Sequence, residues 1–316
     1  AAMSLLPYFR LDLDIGPAVA SHVISAYALG VVIGAPVLAV MGARLPRRTL
    51  LIALMVFYGL MNILSAFAET YHQMLVARFL SGLPHGTYFG VAALLAASVV
   101  PPGRRTQAMA RVMIGLTVAT VLGVPFASIL GQTVGWRWGF GLVGVLAALT
   151  AALIWLHAPR DAARRGANPL SELSALANRQ VLLTLLTGAI GFGGFFAVYT
   201  YVADTLRDVT MAGPAAEPVV LGVMGVGMTF GTVLAGWAAD RAQALTAYVI
   251  LGGSVVMMAI YPSATGSLWL IVPVLFLIGM SGSMGTVLQA RLADVAGEAQ
   301  TMAAALNHSA FNAANA

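Results

Sequence analysis

Arg78 and His85 stand seven residues apart in RFLSGLPHGTYFG, residues 78–90, among glycines, leucines and aromatics. Seven residues is close to two helical turns, so a helix puts both on roughly one face, with His85 ~11 Å further along. A guanidinium stays charged at physiological pH, whereas an imidazole takes or gives up a proton under modest fields. A fixed charge beside a titratable ring suits a proton site, and Tyr88, one turn beyond His85, joins that candidate group. Plainer roles compete. Arg78 lies about five residues, ~8 Å, inside the expected apolar segment, from where a long side chain can snorkel to the interface. His85 follows Pro84, whose ring frees the carbonyl of Leu80, and an imidazole can compensate it.

Other polar and aromatic candidates for a cavity are Tyr27, Phe195, Phe196, Tyr199, Asn307, His308 and Asn312. The densest aromatic stretch is GFFAVYTYVAD, and aromatic faces bind flat amphipathic or cationic molecules. Near helix ends the same residues serve as an interfacial belt. Asp204, His22 and His72 are expected at the interface.

The elements that hold these residues are set by composition. Of 316 residues 60% are hydrophobic and 9% charged, against roughly 25% charged in soluble domains. Apolar segments fall at 17–41, 49–68, 73–99, 107–131, 138–157, 181–203, 218–239, 246–263 and 268–290. A spanning helix needs ~20 apolar residues, whereas a barrel strand needs ~10 with alternation, so these are helices of an all-α polytopic membrane protein. Cysteine is absent, which excludes disulfides, thiolate metal sites and cysteine nucleophiles. All 16 basic residues are arginine, and a Walker A loop without lysine cannot form, so no nucleotide partner is expected. No cofactor or metal is implied. The net charge of +5 lies in interhelical loops, where it sets topology and does not point to nucleic acid. Arg44, Arg47, Arg48, Arg104, Arg105, Arg111, Arg160, Arg164, Arg165, Arg179, Arg241 and Arg291 flank one set of loops; the alternate set has only Arg10, Arg137 and Arg207. The first set is therefore expected on the cytoplasmic side.

A repeat runs at a fixed offset of 197 residues. Gly30 and Gly34 fall on Gly227 and Gly231, Arg44 on Arg241, Arg10 on Arg207, and FLSG at 79–82 on FLIG at 276–279. The register implies that span 1 begins about fifteen residues before position 1 and that TMAAALNHSAFNAANA is the first part of an eleventh span. Expected are twelve spans in a six plus six plan: residues 1–157 as one half, 158–180 as a cytoplasmic linker, and 181–316 as the other half. Such repeats enclose a midplane cavity in transporters.

These residues resemble the major facilitator superfamily, most closely its 12-span drug:proton antiporters of the arabinose-efflux and chloramphenicol-efflux type. The family's gating loop, G-x-x-x-D-R-x-G-R-R, is matched in GWAADRA by Gly236, Asp240 and Arg241. In the first half AVMGARLPRR keeps Arg44, Arg47 and Arg48 but has Ala39, Ala43 and Pro46 for the glycine, the aspartate and the second glycine. LVARFLSG resembles the span 4 pattern whose arginine, here Arg78, is associated with proton coupling. The repeat places Leu275 at the equivalent position, so the fold does not demand that arginine. GLTVATVLGVPFASILG resembles the antiporter motif of a kinked, closely packed span 5 through Gly115, Gly123 and Pro125, with Ala127 and Ser128 replacing the usual second glycine pair. The resemblance also implies a coupling acid on the part of span 1 that precedes position 1.

Together these imply a secondary exporter in a bacterial inner membrane, expected as a monomer, whose partners are protons, a small amphipathic substrate and the bilayer. Uptake of a small solute such as a sugar is the alternative within transport. A sensor or assembly subunit on the same fold is an alternative of another class. Intramembrane proteolysis is suggested by GMSG, residues 279–282, with His308 as base, but a duplicated twelve-span plan does not match that fold.

Overall fold

A computed structural model describes residues 2–160, 169–213 and 216–315. In hydrocarbon every backbone donor and acceptor needs an internal partner, and the described residues are almost entirely helical. The helices are α1 (Ala2–Asp12), α2 (Pro17–Gly42), α3 (Arg47–Ala66), α4 (Tyr71–Ser98), α5 (Arg105–Val118), α6 (Val124–Thr133), α7 (Trp136–His157), α8 (Arg179–Asp208), α9 (Ala216–Ala264), α10 (Leu268–Ser281), α11 (Met284–Val295) and α12 (Gln300–Asn315). Eight described segments are long and apolar enough to cross a membrane. One of them, α9, bends at Ala242 (φ −150°, ψ 71°) and supplies two crossings. Four exposed tryptophans mark the two ends: Trp138 and Trp269 open α7 and α10, while Trp155 and Trp237 lie near the arginine-rich ends of α7 and of the first arm of α9. Such rings settle at membrane interfaces.

Lipid offers no hydrophobic drive for helix association, so close backbone approach takes its place. The repeat register appears in these contacts. A Cβ on Gly30 would collide with the carbonyl of Phe79, and one on Gly82 with the carbonyl of Tyr27. At the 197-residue offset Gly227 meets Phe276 in the same way, and Gly279 meets Met224. Gly34 against Leu83 and Gly231 against Met280 complete the set. The α2–α4 pair and the α9–α10 pair are thus two copies of one packing unit.

Two segments expected as single helices are interrupted. The span at 107–131 is α5, a π-helical turn at Ala119–Gly123, and α6. Pro125 lacks the N–H that would continue the ladder, and the wider turn accommodates the gap. The span at 268–290 breaks between α10 and α11, where Gly282 N and Ser283 N bond three residues back, to Gly279 and Met280, at 3.0 and 3.1 Å. Glycine and serine in GMSGSMG favour helix poorly. Between α6 and α7 the chain turns at Gly135 (φ 114°), a conformation that favours glycine.

The two copies meet along α12, which packs on α2 and α4, and along α5, which packs on α9. Gly90 sits against the backbone of Ala304 and Ala305, so that an added Cβ would lie 2.7 Å from it, and Gly86 faces Ala305. Of the central linker, Pro169–Ala177 forms a short 3-10 helix. Arg164 and Arg165 lie outside the described residues.

Candidate functional site

Arg78 does not snorkel. It is 5% exposed, its Nη1 donates to Asn62 Oδ1 at 3.0 Å, and its guanidinium lies 4.6 Å from the ring centroid of Tyr27 and 5.3 Å from that of Phe140. The ion pairs resolved among the described residues join Arg137 to Asp12 and Arg207 to Asp204 and Asp208, so Arg78 is held by an amide and aromatic faces instead of a carboxylate. Cation–π contacts gain strength when desolvated, which suits a buried arginine.

Tyr27 extends the group. Its hydroxyl and His85 Nδ1 are 2.7 Å apart, so the Tyr27 ring carries Arg78 while its oxygen holds His85. His85 therefore turns that nitrogen to α2 and not to the carbonyl of Leu80. Beyond it Phe89 and His308 complete a ring cluster, with centroids 5.0 Å (His85–Phe89), 5.1 Å (Phe89–His308) and 5.7 Å (His85–His308) apart. His308, on α12, is 5% exposed, and its Nε2 has no hydrogen-bond partner among the described residues. One continuous cluster thus joins α2, α4 and α12.

From His308 the aromatic run continues through Phe311, stacked on Phe192 at 4.2 Å, to Phe195, Phe196 and Tyr199 on α8. Asn307 faces elsewhere and donates to Gln289 Oε1 at 2.6 Å and Gly285 O at 3.2 Å. Asn312 spends its amide on the carbonyl of His308. Tyr88 packs among α3 and α7 side chains and edge-on to Phe89, one layer away from the cluster. Asn62 and Gln289 were missed by a reading that looked for charge, although both are amides in apolar spans and would have been flagged by the cost of polar groups there.

At the arginine-rich end Asp240 accepts from Thr106 N at 2.7 Å and Gln107 N at 3.1 Å, capping α5. One turn earlier Gly236 admits α5 so closely that a Cβ would lie 2.7 Å from that of Ala110. Arg241 turns away to the carbonyl and ring of Trp237. Arg48 reaches the carbonyl of Trp155, Arg47 lines a polar recess with Arg105, Asp240 and Asp294, and Arg44 lies at the exposed turn after α2.

The packing expected of Gly115 and Gly123 is not found: an added Cβ meets nothing within 4 Å at the first and only Ala119 Cβ, at 3.9 Å, at the second. The close approach to this segment is made from α9, where Gly225 faces Val121. The side chain of Pro125 lies outside the described residues. Ser281 bonds the carbonyl of Ile278 in its own helix, while His308 sits among rings, so no serine–histidine pair forms.

Two packing units of crossed helices, joined around one buried polar cluster, define a membrane transporter of the repeat type. The family model of the Major Facilitator Superfamily matches residues 1–316, and the chain belongs to that superfamily. Inner membrane transport protein YdhP of Escherichia coli (strain K12) is 35% identical over 316 residues, covering 99% of this chain and 81% of YdhP. The chloramphenicol resistance protein of Streptomyces lividans is 32% identical over 319 residues, covering 98% and 80%. Among solved structures FucP, a superfamily transporter in the outward conformation, superposes with a TM-score of 0.77 over 98% of this chain and 84% of FucP, at 16% identity, a likeness of fold alone. The chain is a multi-pass inner membrane transport protein and not an enzyme.

Proposed function

We propose that this protein exports small amphipathic molecules in exchange for protons, by alternating access of two halves, residues 1–157 and 181–316, joined by the linker at 158–180. The observation that carries the reading is the buried chain Arg78–Tyr27–His85, which abuts His308 from the other half. A fixed positive charge and two imidazoles at the meeting of the halves give protonation a direct purchase on their separation. The aromatic run through Phe311, Phe192, Phe195 and Tyr199 offers ring faces to a flat, partly apolar substrate. The similarity to the Streptomyces chloramphenicol resistance protein supports export of such molecules. Contacts of α12 with α4 and of α5 with α9 close the arginine-rich end in this geometry.

Reconstitution of the full-length protein in liposomes under an imposed pH gradient tests the reading. With chloramphenicol, other amphipathic drugs and small sugars supplied in turn, drug-dependent collapse of the gradient with opposed drug and proton flux is the expected result. Sugar flux in the same direction as protons would establish symport instead. Absence of any flux across the panel would overturn the proposal.

A further inference from the structure

Asp240 caps α5, and the 197-residue offset puts Ala43 where a first-half acid would cap α12. Alanine cannot do so, yet the opening turn of α12 is not left without an acid. Glu172, from the linker's 3-10 helix, is 3% exposed and accepts from Met302 N at 2.8 Å through Oε2. A carboxylate at a helix N-terminus satisfies an otherwise unpaired N–H and is favoured by the helix dipole, and hydrogen bonds to an ionised acceptor are the strong kind.

The linker is built to hold that acid in place. Ala175, 1% exposed, packs in a cluster with Ala39 of α2 and with Ala299, Met302 and Ala303 at the start of α12. Asn178 accepts from Gln180 N at 2.9 Å, capping α8, and donates Nδ2 to Val295 O at 2.8 Å at the end of α11. The segment therefore touches α2 of one copy and α8, α11 and α12 of the other.

We infer that Glu172 is the second latch acid of the arginine-rich gate, supplied by the linker in place of the aspartate that position 43 lacks. The inference rests on the alternating-access reading, in that opening this end must part α2 from α12 and so withdraw Glu172 or drag the linker with one side. The gate is then closed by Asp240 on α5 and by Glu172 on α12, two carboxylate caps reached by different routes through the chain.

Residues 1–316 contain no cysteine, so once any cysteine elsewhere in the full-length protein is replaced by serine the test is direct. A single cysteine at Ala97, 6% exposed where α4 faces α5 and α11, is labelled with a membrane-impermeant maleimide from the arginine-rich side in the full-length protein. Glu172→Ala is expected to speed labelling about tenfold or more, the scale of a lost hydrogen bond to a charged group, and Glu172→Gln, which trades a charged for a neutral acceptor, about fivefold. Adding Ala43→Asp to Glu172→Ala is expected to slow it again. Labelling within twofold of the parent in a variant that still unfolds cooperatively would overturn the proposal, because Glu172 would then be a cap that travels with α12 in both states. Should Glu172→Ala not fold, Glu172→Gln carries the test, since it keeps an oxygen for Met302 N while losing the charge. Fast labelling that persists with Ala43→Asp would overturn the assignment of Glu172 to the role of position 43. The readout is accessibility and not flux, so failure here leaves the transport proposal standing and is distinguishable from a failure of that proposal.

Discussion

Tyr27 does two jobs with two parts of one side chain, and they can be separated. Tyr27→Phe keeps the ring under Arg78 and deletes only the oxygen that holds His85. A net hydrogen bond is worth ~0.5–1.5 kcal/mol, so gradient-driven transport is expected to fall about two- to tenfold at unchanged membrane abundance. Arg78→Ala removes the cation itself and leaves Asn62 Oδ1 without its donor; coupled flux in liposomes is expected to be lost, and wild-type flux would remove Arg78 from the mechanism. His85→Gln retains hydrogen bonding without titration and is expected to flatten the pH dependence of flux. Arg78 and His85 were legible because charge and imidazole stand out in an apolar span. The Tyr27 bridge was not, because 58 residues separate it from His85 and only the α2–α4 crossing brings them together. The register underlines the asymmetry: Met224 stands opposite Tyr27, Ala259 opposite Asn62 and Gly282 opposite His85.

At the scale of the element, glycines divide into those that carry a helix crossing and those that do not. Gly30→Val and Gly227→Val each push a branched side chain onto a backbone carbonyl of the neighbouring helix. Overpacking of this kind costs ~1–3 kcal/mol, and both variants are expected to unfold at lower temperature in detergent by similar amounts, as equivalent positions should. Gly115→Ala meets open space and is expected to be neutral or to raise stability by up to ~1 kcal/mol through helix propensity. The crossing glycines were readable from sequence because their spacing recurs at 197 residues. Of the two helix interruptions, the one in the span at 107–131 was announced as a kink by Gly123 and Pro125, and the one after α10 was not. The π-helical turn at Ala119–Gly123 reflects how α5 fits α9 as much as the proline nearby, and the break at Gly282–Ser283 lies in a stretch whose small residues are equally compatible with a continuous helix.

Across the whole molecule the end opposite the gate is tied by an ion pair. Arg137 bonds Asp12 and the carbonyl of Ala68, and Trp136 Nε1 donates to Asp12 at 3.0 Å, linking α1, α7 and the turn after α3. Hydrogen bonds from Arg137 and Trp136 hold the Asp12 carboxyl below its usual range. A depressed carboxylate contributes stability that is present above its unfolded pKa, about 3.9, and is lost as pH falls through the lower folded value. Both side chains are almost half exposed, so solvent screening limits the contribution to under ~1 kcal/mol. Asp12→Asn is expected to lower the melting temperature slightly at pH 7 and to match the parent only once the pH has fallen below the lowered folded value of Asp12. Arginine placement told the two ends apart in advance, whereas the linker's part in closing one of them was hidden, since nothing local to Glu172 announces a helix 130 residues away. The duplicated glycine crossings also give the molecule a built-in ruler. Paired spin labels across α2 and α4, or across the first arm of α9 and α10, should report one unchanging distance throughout the transport cycle. A label pair across α4 and α12 should switch between two, so each protein molecule carries its own calibration for the motion it makes.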